Sequence, residues 1–111
     1  ALLRAVFQRM PLALVTNSEA PIATSFLAAT GLADQFDTIV TVEEAQTPKP
    51  APDLYLLAAS RLGVLIHHCL VLEDSEQGIE AARRAGAPCL DVREPGWADS
   101  CKDFLNALAL D

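Results

Sequence analysis

Residues 69–86 read CLVLEDSEQGIEAARRAG, and the fold follows from how this stretch is parsed. Cys69-Leu70-Val71-Leu72 is a short, unbroken apolar run of the kind a strand covered on both faces requires. Glu73-Asp74-Ser75 is polar and turns the chain. Ile79, Ala82 and Ala85 then recur at helical spacing as far as Gly86, a residue that accepts the left-handed conformation of a helix end. This is a βα unit, and the same pattern repeats outward in both directions.

Upstream, Leu12-Ala13-Leu14-Val15-Thr16 is a second apolar run, followed by Asn17 and Ser18 as caps for a helix with Ile22, Phe26 and Leu27 on one side and Gly31 at its end. Residues 38–42 are β-branched and predict another strand. In the loop over 43–53, Pro48, Pro50 and Pro52 flank Lys49 and stiffen the backbone. Asp53 then caps a helix with Leu54, Leu57, Ala58 and Leu62 inward and Gly63 as terminator. Downstream, residues 88–92 form a fourth strand and 93–99 a loop, before a closing amphipathic helix marked by Phe104, Leu105 and Leu108. At the other end, Leu2, Leu3, Val6, Phe7 and Met10 predict a helix that Pro11 stops. Strict alternation of strands and helices means an α/β protein with a parallel sheet and helices on both faces.

The chain has 111 residues, 51% of them apolar, which is the size and composition of one compact domain rather than a linker or disordered tail. Fifteen acidic against eight basic residues give a net charge of -7, which opposes binding to nucleic-acid phosphates or anionic lipid. No stretch has the length of a membrane span. Cys69, Cys89 and Cys101 lack metal-site spacing and fit reduced packing thiols of a cytoplasmic protein. His67 and His68 are adjacent and would face opposite sides of a strand, Arg83 and Arg84 fit a solvated helix face, and Trp97 fits a turn aromatic over the sheet edge.

In parallel α/β sheets, ligands gather at the carboxyl ends of the strands. Three polar features fall there or can reach there: Thr16-Asn17-Ser18, Lys49 and Glu73-Asp74. A hydroxyl followed by free backbone N–H groups at a helix start is a cradle for phosphoryl oxygens. Lys49 supplies a countercharge. Two adjacent carboxylates repel one another unless a cation joins them, and Mg²⁺ takes one or two carboxylates together with phosphate oxygens. Asp74 is the direct ligand candidate, with Glu73 acting through water.

LALVTNS (12–18), TPKPAPDLYLLAASRLG (47–63) and CLVLEDSEQGIEAARRAG (69–86) resemble, in order, motifs two, three and four of the haloacid dehalogenase superfamily. The likeness is greatest to its β-phosphoglucomutase-like and phosphoglycolate-phosphatase-like branch. It implies a three-layer Rossmann-like core and a Mg²⁺-dependent phosphatase or phosphosugar mutase acting on a small phosphorylated metabolite. It implies that Thr16 and the Asn17 amide bind the phosphoryl group, that Lys49 neutralises the phosphoryl oxygens and the nucleophile, and that Asp74 and Glu73 hold the metal. A phosphorelay receiver also combines acids, a hydroxyl and a lysine, but in a different chain order.

In that family the nucleophile is the first aspartate of an Asp-x-Asp pair on the central strand, where it forms an aspartyl-phosphate. No Asp-x-Asp occurs in these 111 residues. The expectation is therefore that residues 1–111 are the C-terminal portion of an incomplete core, with the motif-one strand and the cap domain missing and the nucleophile supplied by an N-terminal segment. The alternative is an inactive or split phosphate-binding or interaction module. By family topology the missing strand belongs between the strand at 12–16 and that at 70–72, which leaves two strand edges open.

Overall fold

The structure is a computed structural model that describes residues 11–31, 34, 36–101 and 103. The helices expected over 1–10 and around Phe104, Leu105 and Leu108 lie outside the described residues, as does the side chain of Phe26.

Among the described residues, four short parallel strands and three helices of ten or eleven residues follow in the order β1 (Ala13–Val15), α1 (Ala20–Thr30), β2 (Thr38–Val40), α2 (Asp53–Leu62), β3 (Val71–Glu73), α3 (Glu76–Ala85) and β4 (Cys89–Asp91). β1 pairs with β2, Leu14 opposite Ile39, and β3 pairs with β4, Leu72 opposite Leu90. Among the described residues these are two separate two-stranded sheets, so β1 and β3 each keep one unpaired edge.

α2 packs across β1 and β2, α3 packs across β3 and β4, and the two helices touch each other. Leu54 of α2 packs on Val40 of β2, both fully buried, with Ala58 of the same helix beside them. Burial of a leucine or valine side chain contributes about 1.5–3 kcal/mol. Tyr55, Val71, Ala81, Ala82 and Ala87 form the neighbouring cluster and tie α2 to α3 and β3. Side chains alternate along a strand, so Leu70 and Leu90 face away from this layer. There they meet Leu12, Trp97 and the buried Cys101. Trp97 thus covers the sheet, as expected, but from a helical stretch over 97–101, where a loop is expected as far as Asp99.

Several local expectations are corrected. The N-cap of α1 is Glu19 rather than Asn17 or Ser18, with a proline in the first turn, because the Asn17 side chain is engaged elsewhere. Ile22 is 60% exposed; Leu27 faces the core as expected, with Ala23 in place of Ile22. Pro52, not Asp53, occupies the N-cap of α2; Asp53 is its first residue and places a carboxylate at the positive end of the helix. The inward face of that helix is Leu54, Tyr55, Ala58 and Ala59. His67 and His68 lie in a 3-10 turn (Ile66–His68), their rings edge-on at 4.3 Å, and β3 begins only at Val71.

Candidate active site

The open edges of β1 and β3 face a common cavity of about 640 Å³. Thr16, Asn17, Lys49, Glu73 and Asp74 all line it, so five residues drawn from three separate sequence stretches meet in one place. The carboxyl ends of β1 and β3 bring four of them, and the loop before α2 brings the fifth.

Thr16 continues the β1 ladder through its N–H to the Val40 carbonyl, 3.0 Å, and its Oγ1 accepts from the Ser18 N–H at 3.0 Å. The hydroxyl oxygen therefore stabilises the turn into α1. Asn17 reaches across to the proline loop. Its Oδ1 accepts from the Lys49 N–H at 3.0 Å and its Nδ2 donates to the Lys49 carbonyl at 3.4 Å, two bonds that bracket one residue of the loop. The Lys49–Pro50 peptide within this bracket is cis.

From there the Lys49 side chain runs inward. Its ammonium donates to the Val15 carbonyl at 3.1 Å and to Glu73 Oε2 at 2.8 Å, and lies 4.9 Å from the centre of the Tyr55 ring. An ammonium has three N–H donors, and two are used here. The same group thus joins the β1 pair of strands to the β3 pair.

Glu73 is 8% exposed, and both its oxygens are engaged. Oε2 accepts from Lys49 and from the Tyr55 hydroxyl; Oε1 accepts from the Asp74 N–H at 3.0 Å and the Ser75 hydroxyl at 3.2 Å. Burial by itself raises a carboxyl pKa, but the hydrogen bonds from Lys49 and Tyr55, with the lysine charge, outweigh it and hold Glu73 at about 2. The Tyr55 phenol is pushed far up, first by burial and then by Glu73, and stays a donor.

Asp74 contrasts with its neighbour. Its side chain is exposed and has no hydrogen-bond or ion-pair partner among the described residues. Ser75 caps α3 by accepting from the Gly78 N–H at 3.0 Å. No group of three or more His, Cys, Asp or Glu side chains gathers among the described residues. A free carboxylate at the rim of a cavity nonetheless suits a hard cation that draws its remaining ligands from bound oxyanions or water.

Two members of the site carried no assigned role in the sequence. Tyr55 is the sole tyrosine of the chain, on a helix face of leucine and alanine, and a buried phenol needs a polar partner. That requirement was the available signal. Gly78 falls within the Glu-Asp-Ser-x-x-Gly run that carries the family resemblance, but its close approach to Glu73 comes only from the packing of α3.

The family profile of haloacid dehalogenase-like hydrolases matches residues 2–92. This chain belongs to the haloacid dehalogenase-like hydrolase family. Within the family it is 47% identical over 85 residues to fructose-1-phosphate phosphatase YqaB of Escherichia coli K12, covering 77% of this chain and 45% of the relative. It is 38% identical over 114 residues to phosphoglycolate phosphatase of the same strain, covering 91% and 45%. A putative β-phosphoglucomutase from Thermotoga maritima superposes with a TM-score of 0.78 at 26% identity, over 93% of this chain and 57% of that one. The chain thus spans a little under half the length of these curated haloacid dehalogenase relatives. The branch expected from motifs two to four is the one these relatives occupy, and the Rossmann-like parallel α/β fold agrees with the solved structures.

Proposed function

We infer that this chain supplies the phosphate- and metal-binding half of a Mg²⁺-dependent phosphatase or phosphomutase for small phosphorylated metabolites. The convergence of Thr16, Lys49 and Asp74 on one cavity carries this reading. The Thr16 hydroxyl and the Asn17 N–H would receive phosphoryl oxygens in the turn that precedes α1. Lys49 lends its third N–H and its charge to the same oxygens. Asp74 would hold Mg²⁺, which when bound offsets phosphoryl charge. Glu73 supports the site by holding Lys49 in place.

The attacking carboxylate must come from outside these 111 residues. A strand seated between the open edges of β1 and β3 would satisfy both and bring such a group to the mouth of the cavity. The likeness to fructose-1-phosphate and phosphoglycolate phosphatases supports a small sugar or acid phosphate as substrate.

The test is the protein expressed with whatever its coding sequence carries upstream. Phosphate release from fructose 1-phosphate, phosphoglycolate and an aryl phosphate is expected with Mg²⁺, to be abolished by chelation, and to fall roughly 100-fold or more in Lys49→Met and Asp74→Asn. An upstream sequence without an Asp-x-Asp strand, together with no turnover, would overturn the enzyme reading in favour of an inactive phosphate-binding module.

A further inference from the structure

Tyr55 lies one turn into α2, buried, with its hydroxyl on Glu73 Oε2 and its ring beneath the Lys49 ammonium. Both contacts converge on one ion pair, whose side chains are each 9% exposed. The oxygen that Tyr55 holds is the one that pairs with Lys49. We propose that Tyr55 is a positioning residue, which through Glu73 and its ring face sets where the Lys49 ammonium meets a bound phosphate.

The physical reason lies in the competition for Glu73. A carboxylate oxygen with a lysine as its sole partner draws the ammonium toward itself; one that also accepts from a phenol shares its charge and stays fixed in direction. With the hydroxyl in place, Lys49 keeps a defined position between Val15 and Glu73 and a donor left over for the cavity. The ring adds an attraction from below that a leucine would lack. Without the hydroxyl, Glu73 turns toward Lys49 and the ammonium follows it away from the phosphoryl oxygens. Tyr55 does not line the cavity, so its effect passes through these two residues.

This inference rests on the phosphate-binding role proposed above, and one set of measurements separates the two. Inorganic phosphate is titrated, with Mg²⁺ present, into the protein carrying any upstream segment, as wild type, Tyr55→Phe, Lys49→Met and the double variant. Tyr55→Phe keeps the ring and removes the hydroxyl. It is expected to weaken phosphate binding roughly three- to tenfold, the range of one ordinary hydrogen bond, and to have no further effect once Lys49 is gone. Because Tyr55 is the sole tyrosine of these 111 residues, segmental ¹³Cζ-tyrosine labelling of residues 1–111 gives one resonance in the wild type, and that resonance is expected to shift when phosphate binds. Unchanged affinity in Tyr55→Phe would overturn the proposal, as would an equal loss in both lysine backgrounds. Should the variant fail to fold, a wild-type resonance that ignores saturating phosphate would overturn it as well. If wild type and Lys49→Met both fail to bind phosphate, the phosphate-binding reading falls first and this inference with it.

Discussion

Gly78 of α3 faces Glu73 so closely that a Cβ at the glycine would stand 1.9 Å from Glu73 Cδ. A carbon there would require the Glu73 side chain to move. The carboxylate that orders Lys49 is therefore seated against bare helix backbone, and the packing of α3 on β3 is part of the site.

Gly78→Ala separates this contact from helix propensity. In an exposed helix the change adds about 1 kcal/mol of stability. Here the Glu73 side chain must swing aside and leave Lys49 and Tyr55, so a net loss of roughly 1–3 kcal/mol is expected in urea denaturation. Glu73→Ala in the same chain removes the clash, and the penalty of Gly78→Ala should then vanish.

Acid stability follows from the same carboxylate. Glu73 is held at about 2 in the folded protein against an ordinary value of 4.5. Its contribution is therefore complete above about pH 4.5 and is lost as pH falls from there through about 2. Stability at neutral pH should exceed that at pH 2 by on the order of 2–3 kcal/mol from this group. Glu73→Gln should flatten that part of a thermal-melting profile against pH.

Asn17 holds Lys49 by its backbone, through bonds of 3.0 and 3.4 Å. Asn17→Ala should free the Lys49 amide. Hydrogen exchange at that one N–H is expected to speed up about fivefold, the equivalent of about 1 kcal/mol, with the amides of β2 unaffected.

A contrasting outcome is expected on the outer face of α3. Arg83 and Arg84 both pair with Glu80, at 2.5 and 2.7 Å, yet all lie in contact with solvent. Exposed pairs of this kind contribute little. Glu80→Gln should leave the urea midpoint almost unchanged, in contrast to substitutions at Glu73.

Much of this architecture was legible in the residues. The apolar runs before Thr16 and Glu73, and the glycines after each helix, located the βα units. The polar residues at their carboxyl ends located the cavity. Element edges were less legible. The run 69–72 predicted a strand from Cys69, but pairing of Val71 with Cys89 and of Glu73 with Asp91 sets β3 two residues later. Apolar composition specifies that a strand forms, whereas its partner specifies which residues take part. The helix cap failed for a related reason: Asn17 is a good N-cap by type, but its amide finds the Lys49 backbone 32 residues away.

The sequence by itself determined the order of elements, the family, and which chemical groups stand at the ends of the strands, since these depend on local periodicity and on residue type. Tertiary structure alone decided how those groups divide their work. Adjacent Glu73 and Asp74 look interchangeable in the chain, yet one is buried among Lys49, Tyr55 and Ser75 while the other is exposed, its side chain without a partner among the described residues. Successive residues of an extended chain point to opposite sides, and the approach of α2 and α3 covers one side only, so a single step along the chain separates a buried carboxylate from an exposed one.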